Sequence, residues 1–233
     1  MLSEICCRQR TRVNRSMKKR AFFGGTFDPV HNGHIAIART LLEQFGLDEF
    51  TFIPAFHAPH KTRLMPTSAY DRYAMLCLAT EDDDRIKVSQ MEFETPDEPY
   101  SVQTLPKLNA MYPDDRIFFV MGADSWMDIR TWREWETVLS LTDHIVMTRP
   151  GREITTDHVT EEIRSRVIDL TGSGGKQFVD IGNAVKHIYI TDRVNIDISA
   201  TDIRHRARNG AGSWKNDVPP GVAKFIEKYQ IYK

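Results

Sequence analysis

The sequence predicts an α/β fold, a doubly wound parallel sheet with helices on both faces, and three observations carry that expectation. Short apolar runs alternate along the chain with longer segments of helical periodicity. Runs such as Ile117-Phe118-Phe119-Val120-Met121 lack polar alternation, as do parallel strands covered on both faces. Glycine-bearing turns follow the first and fourth runs, at the strand ends where such sheets bind ligands.

Taken in order, Arg20–Gly24 reads as the first strand, its Ala21-Phe22-Phe23 run ending on a glycine pair. Gly33–Phe45 is a helix, apolar-periodic from Ile35 onward. Phe50–Pro54 and Ile86–Ser89 are the next strands, with a helix over Ser68–Thr80 between them. A helix over Val102–Met111 leads to the strand Arg116–Gly122, and one over Arg133–Leu141 leads to Asp143–Thr148. Val159–Ile168 has helical spacing with less regular flanks, and His187–Thr191 is the last strand. Strand–helix–strand repetition with right-handed crossovers makes the sheet Rossmann-like. Residues 151–185 read as an insertion. Within it, Thr171-Gly172-Ser173-Gly174-Gly175-Lys176 lacks the spacing of a phosphate-binding P-loop and follows no strong strand, so it reads as a loop.

The stretch Gly24-Gly25-Thr26-Phe27-Asp28-Pro29-Val30-His31-Asn32-Gly33-His34 is the most informative in the chain. A strand, a glycine turn and a helix start present backbone N–H groups and a positive helix end to a ligand, which suits phosphate. Gly24 and Gly25 permit φ > 0 and close backbone approach, Pro29 stiffens the turn, and Gly33 leaves room beside the imidazoles. His31 and His34 add donors that can follow charge as it develops on a phosphorus centre. Zinc would require a third ligand, and no Cys or Glu cluster is near.

A second candidate lies far along the chain. Ser199 and Thr201 fall at an expected helix start, and Arg204, about one turn on, can reach back as a bidentate phosphate clamp. Plain capping of a helix is the competing reading there. Asp124 follows Gly122 at a strand end and reads equally as a helix cap or as a contact to a nucleotide ribose or its metal.

These residues resemble a known family. Gly24–His34 is similar to the signature of the H-x-G-H nucleotidyltransferases, and specifically of the nicotinate-nucleotide adenylyltransferases. Ala58-Pro59-His60-Lys61 is similar to that family's P-P-H-K loop. Pro99-Tyr100-Ser101-Val102-Gln103-Thr104-Leu105 resembles its S-Y-T-x-x-T-L segment. Met121-Gly122-Ala123-Asp124 with Trp132 resembles G-x-D…W, and Arg149-Pro150-Gly151 resembles R-P-G. Ile198–Arg204 is similar to I-S-S-T-x-I-R, with Ala200 in place of one serine, and Val218-Pro219 with Tyr229 matches a small C-terminal helical part. The motifs run in family order from about residue 20 onward.

The resemblance implies a fold of nucleotidyltransferase type and a reaction. The 5′-phosphate of nicotinate mononucleotide attacks the α-phosphate of ATP, releasing pyrophosphate and forming deamido-NAD. It implies His31, His34, Lys61 and Arg204 as the catalytic set. Gly24, Gly25, Thr26, Phe27, Gly122, Asp124, Ser199 and Thr201 would complete the ATP site with the two histidines and Arg204. His60, Lys61, Tyr100, Thr104, Trp132 and Arg149 would form the mononucleotide site, with Trp132 stacking on the pyridine ring. Trp126 and Trp135 stand close enough in sequence to substitute, and any of the three could be core. Mg²⁺ is implied as ATP's companion, held mainly by ATP and water rather than by a protein cage. Phe56–Met65 is the candidate lid.

Composition sets the remaining bounds. With 233 residues, 41% hydrophobic and 27% charged, the chain is ordinary for a globular protein of cytoplasmic type. The net charge of -1 hides a basic segment: residues 1–20 hold seven Lys/Arg against Glu4 alone, so the rest is acidic by seven charges. That argues against a nucleic-acid partner for the body. Residues 1–16 read as a disordered basic tail or a mis-assigned start before Met17, and residues 17–233 as one nucleotidyltransferase domain. No apolar run approaches the roughly 20 residues of a membrane span. The three cysteines form no disulfide framework, and Cys77 is expected in the core. A homo-oligomer stays open. So do an adenylyltransferase preferring nicotinamide mononucleotide, a phosphopantetheine adenylyltransferase, a cytidylyltransferase and an inactive nucleotide sensor.

Overall fold

The computed structural model describes residues 16–56, 67–96, 100–148, 154–172, 178, 182, 185–194 and 196–232. They build a seven-stranded sheet, every adjacent pair parallel. The strands are β1 (Lys19–Gly25), β2 (Glu49–Pro54), β3 (Ile86–Val88), β4 (Arg116–Gly122), β5 (Asp143–Met147), β6 (Val167–Asp169) and β7 (Ile188–Thr191). Their order across the sheet is β3-β2-β1-β4-β5-β7-β6. The order reverses between the neighbours β1 and β4, which leaves a crevice beyond their carboxyl ends.

Helices cover both faces. On one side lie α1 (Asn32–Phe45), α2 (Ala69–Thr80), α8 (Ala200–Arg208) and α9 (Pro220–Lys228), packed on Phe50, Phe118, Val120 and Tyr189 of the sheet. On the other lie α4 (Ser101–Met111), α5 (Ala123–Met127), α6 (Trp135–Leu141) and α7 (Glu161–Arg164), packed on Phe22, Ile117, Phe119 and Met121. A short α3 (Met91–Glu94) follows β3. Alternate residues of β4 thus enter opposite cores, so an unbroken apolar run was needed there. In α1 the buried Ile35, Ala38, Leu41, Leu42 and Phe45 form one stripe. Gly46, at φ 58°, ends it in the left-handed conformation, with its N–H on the Leu42 carbonyl.

Three expectations are corrected. Val159–Ile168 is not one helix: α7, whose start is capped by the Thr160 hydroxyl accepting from the Ile163 N–H, ends at Arg164, and Val167–Asp169 pairs with β7 as the edge strand β6. Backbone bonds from Ile188 N–H to Arg166 and from Leu170 N–H to Ile190 outweigh the helical spacing. The supposed insertion therefore contributes a strand, and that strand does precede Thr171 and Gly172; the rest of the Thr171–Lys176 stretch lies outside the described residues. Cys77 is exposed, because the buried stripe of α2 runs through Arg72, Met75, Leu76 and Thr80. No described helix is long and apolar enough to cross a membrane.

Candidate active site

β1 ends on Gly24 and Gly25, and the chain turns through residues 26–30 to His31, the N-cap of α1. Neither glycine takes a positive φ; the left-handed residue is Phe27, at φ 50°. The glycines serve close approach instead, since a Cβ on Gly25 would lie 2.8 Å from Phe27 Cζ. The Phe27 ring is only 4% exposed and meets Phe23, Phe52 and His34 edge-on, its centroid 5.0 Å from that of His34. As an expected ATP contact, Phe27 is thus corrected in part: its side chain buttresses His34 from within the core, and only its backbone can face a ligand.

The imidazoles of His31 and His34 stack 3.7 Å apart at 25°. The His31 N–H donates to His34 Nδ1 at 3.2 Å. An accepting Nδ1 keeps its lone pair, so neutral His34 carries its proton on Nε2, the atom that can donate to a ligand. A Cβ on Gly33 would sit 3.0 Å from His31 Nδ1, so the missing side chain makes room for His31.

Both distant motifs meet here. Arg204, in α8, donates from Nη1 to the Asp28 carbonyl at 2.6 Å and from Nη2 to the Thr201 hydroxyl at 3.2 Å. That joins two segments 176 residues apart. Ser199 is the N-cap of α8, yet its side chain makes no cap bond, and it and Thr201 are exposed at the helix start. The capping reading of Ser199 therefore loses ground.

Beside the glycines lies a cavity of about 100 Å³, lined by Gly24, Gly25, Glu92, Thr104, Phe119 and Trp132 among others. Trp132 is half-buried and edge-on to Phe119 at 6.4 Å. The alternatives to it recede: Trp126 is fully buried with its indole N–H on the Thr155 carbonyl, and Trp135 packs against the core. Thr104 is buried on α4, while Tyr100, the N-cap of that helix, is partly exposed beneath the Arg133 guanidinium. Burial pushes the Glu92 carboxyl up to about 7, against the opposing pull of the Phe56 N–H bond and the Arg72 charge. Gly122 and exposed Asp124 sit where β4 enters α5, on the far side of the switch point. Asp124 lies in the first turn of α5, where a carboxylate favours the positive helix end.

His60, Lys61 and Arg149 lie outside the described residues, as does most of the expected lid. Their loop's flanks are described. The fully buried Arg72 donates to the carbonyls of Thr67 at 2.9 Å, Thr26 at 2.6 Å and Ala55 at 2.6 Å. Asp28 accepts from the Thr67 N–H at 3.2 Å and from the Tyr232 hydroxyl at 2.6 Å. One guanidinium and one carboxylate therefore fix both flanks of that segment to the histidine turn. Arg72, Asp28, Glu92 and Tyr232 were not among the expected site residues. Arg72 alone left a signal, an arginine at a core-facing position of an otherwise apolar helix stripe.

This combination of a reversed parallel sheet, a glycine–histidine turn and an arginine clamp defines a nucleotidyltransferase of the cytidylyltransferase-like class, whose family model matches residues 22–206. A protein of Solibacter usitatus named probable nicotinate-nucleotide adenylyltransferase is 37% identical over 92% of this chain and 99% of its own. One of the same name from Desulfitobacterium hafniense is 33% identical over 95% of this chain and 99% of its own. The chain belongs to the nicotinate-nucleotide adenylyltransferase family. Its fold is also similar to the Plasmodium falciparum nicotinic acid mononucleotide adenylyltransferase complexed with APC, with a TM-score of 0.67 at 17% identity, covering 92% of this chain and 97% of that one.

Proposed function

We propose that this site transfers the adenylyl group of ATP to nicotinate mononucleotide, forming deamido-NAD and pyrophosphate, a step of NAD biosynthesis. The observation that carries the reading is the bond of Arg204 to Asp28, which joins a second phosphate-binding helix start to the histidine turn. An oxygen of the mononucleotide 5′-phosphate forms a bond to the α-phosphorus, and the bond from that phosphorus to the bridging oxygen breaks, its electron pair leaving with pyrophosphate. Such a transfer needs alignment and charge stabilisation more than proton transfer.

The His34 Nε2–H donates to the α-phosphate as its charge grows, and His31 binds neighbouring phosphate oxygens. Lys61 and Arg204 neutralise the polyphosphate, with Ser199, Thr201 and the backbone of Gly24, Gly25, Thr26 and Phe27 as further donors. Gly122 and Asp124 face the ATP ribose across the switch point. Trp132 offers its face to the pyridine ring, while His60, Lys61, Tyr100, Thr104 and Arg149 hold the rest of the mononucleotide. With Glu92 near 7, the cavity adds less than a full negative charge against an anionic acceptor. Asp124, exposed in the first turn of α5 at the crevice, is the carboxylate that would face Mg²⁺ bound through ATP and water. When bound there, Mg²⁺ supplies charge neutralisation on the leaving pyrophosphate.

Isotope labelling tests the route. With ATP labelled at the α-phosphorus, all label should enter the dinucleotide and none the protein. Label retained on the protein, or release of unlabelled dinucleotide, would contradict direct transfer.

A further inference from the structure

Asp28 is 6% exposed and Tyr232 8%, and their 2.6 Å side-chain bond spans 204 residues of sequence. Asp28 makes two other contacts that matter to the site. Its carbonyl accepts from Arg204 Nη1, and its second carboxylate oxygen accepts from the Thr67 N–H, which flanks the segment bearing Lys61. Tyr232 follows α9 and lies in the core with Trp214, Val218 and Ile226, so its hydroxyl is held from a rigid base. Burial and the Asp28 charge push the phenol up, so it stays a donor at any working pH. A buried carboxylate that lost this donor would turn toward whatever else could solvate it.

We propose that Tyr232 is a positioning residue for the transfer reaction. Its hydroxyl holds Asp28, and through Asp28 it keeps Arg204 and the Thr67 flank in register with His31 and His34. The inference rests on the proposed adenylyl transfer and adds a residue remote from the substrates. Arg204 bonds to the Asp28 backbone carbonyl, so a shift of the turn at Asp28, once its carboxylate is no longer anchored by Tyr232, moves the guanidinium relative to the phosphate path. A small displacement of that kind lowers the rate far more than it lowers binding of the mononucleotide, which the cavity across the glycines would hold.

The test is a double-mutant cycle with Tyr232→Phe and Asp28→Asn. Phenylalanine keeps the ring in its core site, and the melting temperature should stay within about 5 °C of the parent. Turnover should fall about tenfold and ATP affinity about threefold, while KM for the mononucleotide changes less than twofold. The two substitutions should be strongly non-additive: asparagine still offers one oxygen to the Tyr232 hydroxyl but loses the charge and the second acceptor for the Thr67 N–H, so both changes weaken the same coupled pair. Should Tyr232→Phe unfold, Asp28→Asn alone should still show the same split between turnover and KM. Additive effects, or parent-like turnover and ATP affinity in folded Tyr232→Phe, overturn the inference. A parent enzyme inert toward nicotinate mononucleotide defeats the substrate reading instead, and ATP affinity across the cycle then decides this one.

Discussion

At the scale of single residues, the chemistry turns on which atom of His34 carries the proton. The His31 backbone N–H occupies Nδ1, so the donor is Nε2–H. Replacing His34 with Ala should lower turnover roughly 10²-fold with little change in KM, because the bond strengthens as the phosphate charge grows. Steady-state kinetics checks this, and a variant with near-parental turnover would refute the role. Trp132→Ala should raise KM for the mononucleotide and leave that for ATP near its parental value. An unchanged mononucleotide KM would remove Trp132 from the pocket, and buried Trp126 cannot take its place. The histidine turn was legible from its spacing, whereas Trp132 was named through the family resemblance, since spacing left Trp126 and Trp135 equally eligible. The tautomer of His34 was not, since it depends on a backbone group. Nor was the Asp28–Tyr232 pair, which no local pattern marks across 204 positions.

At the scale of elements, α2 matters to the site through Arg72. Its guanidinium satisfies three carbonyls at the ends of β1 and β2 and at Thr67, so Arg72→Met would leave those buried acceptors short of donors. The cost should be about 3 kcal/mol or more in urea unfolding, with Lys a poor substitute for the planar fork. A loss below about 1 kcal/mol would show that these bonds hold little.

β5 carries a second testable group. His144 is fully buried with Nδ1 on the Thr142 carbonyl, and desolvation holds its imidazole down at about 3, well below the ordinary 6.5. The unfolded chain takes up that proton below 6.5 and the native one does not, so the stability present above 6.5 is lost as pH falls toward 3. The loss is about 1.4 kcal/mol per pH unit in that window. His144→Asn should flatten this part of the pH dependence of the urea midpoint, and an unchanged slope would contradict the assignment. Six strands and the main helices were legible to within about two residues at each end, because long apolar-periodic segments leave a strong signal. β6 was not, since three residues gain their strand state only by pairing with β7.

At the scale of the whole molecule, the sheet order places the ends of β1 and β4 side by side, and the histidine turn and Gly122–Asp124 share one crevice for that reason. α8 and the segment after α9 then close over the turn through Arg204 and Tyr232. The parallel α/β class was legible from apolar runs and turn positions. The resemblance already set Arg204 beside the histidines, but the bonds through Asp28 that make the closure were not legible, because each is a single long-range contact. The same sheet also carries a structural ion pair at its opposite end, where fully buried Arg116 and Asp143 meet at 2.9 Å, remote from the carboxyl-end crevice.

The most direct measurement is pyrophosphate release from ATP with nicotinate mononucleotide, set against nicotinamide mononucleotide under the same conditions. Turnover with both ATP and the nicotinate acceptor, at a kcat/KM above that for the amide, is the predicted result. No release with either acceptor, or a preference for the amide, would contradict it.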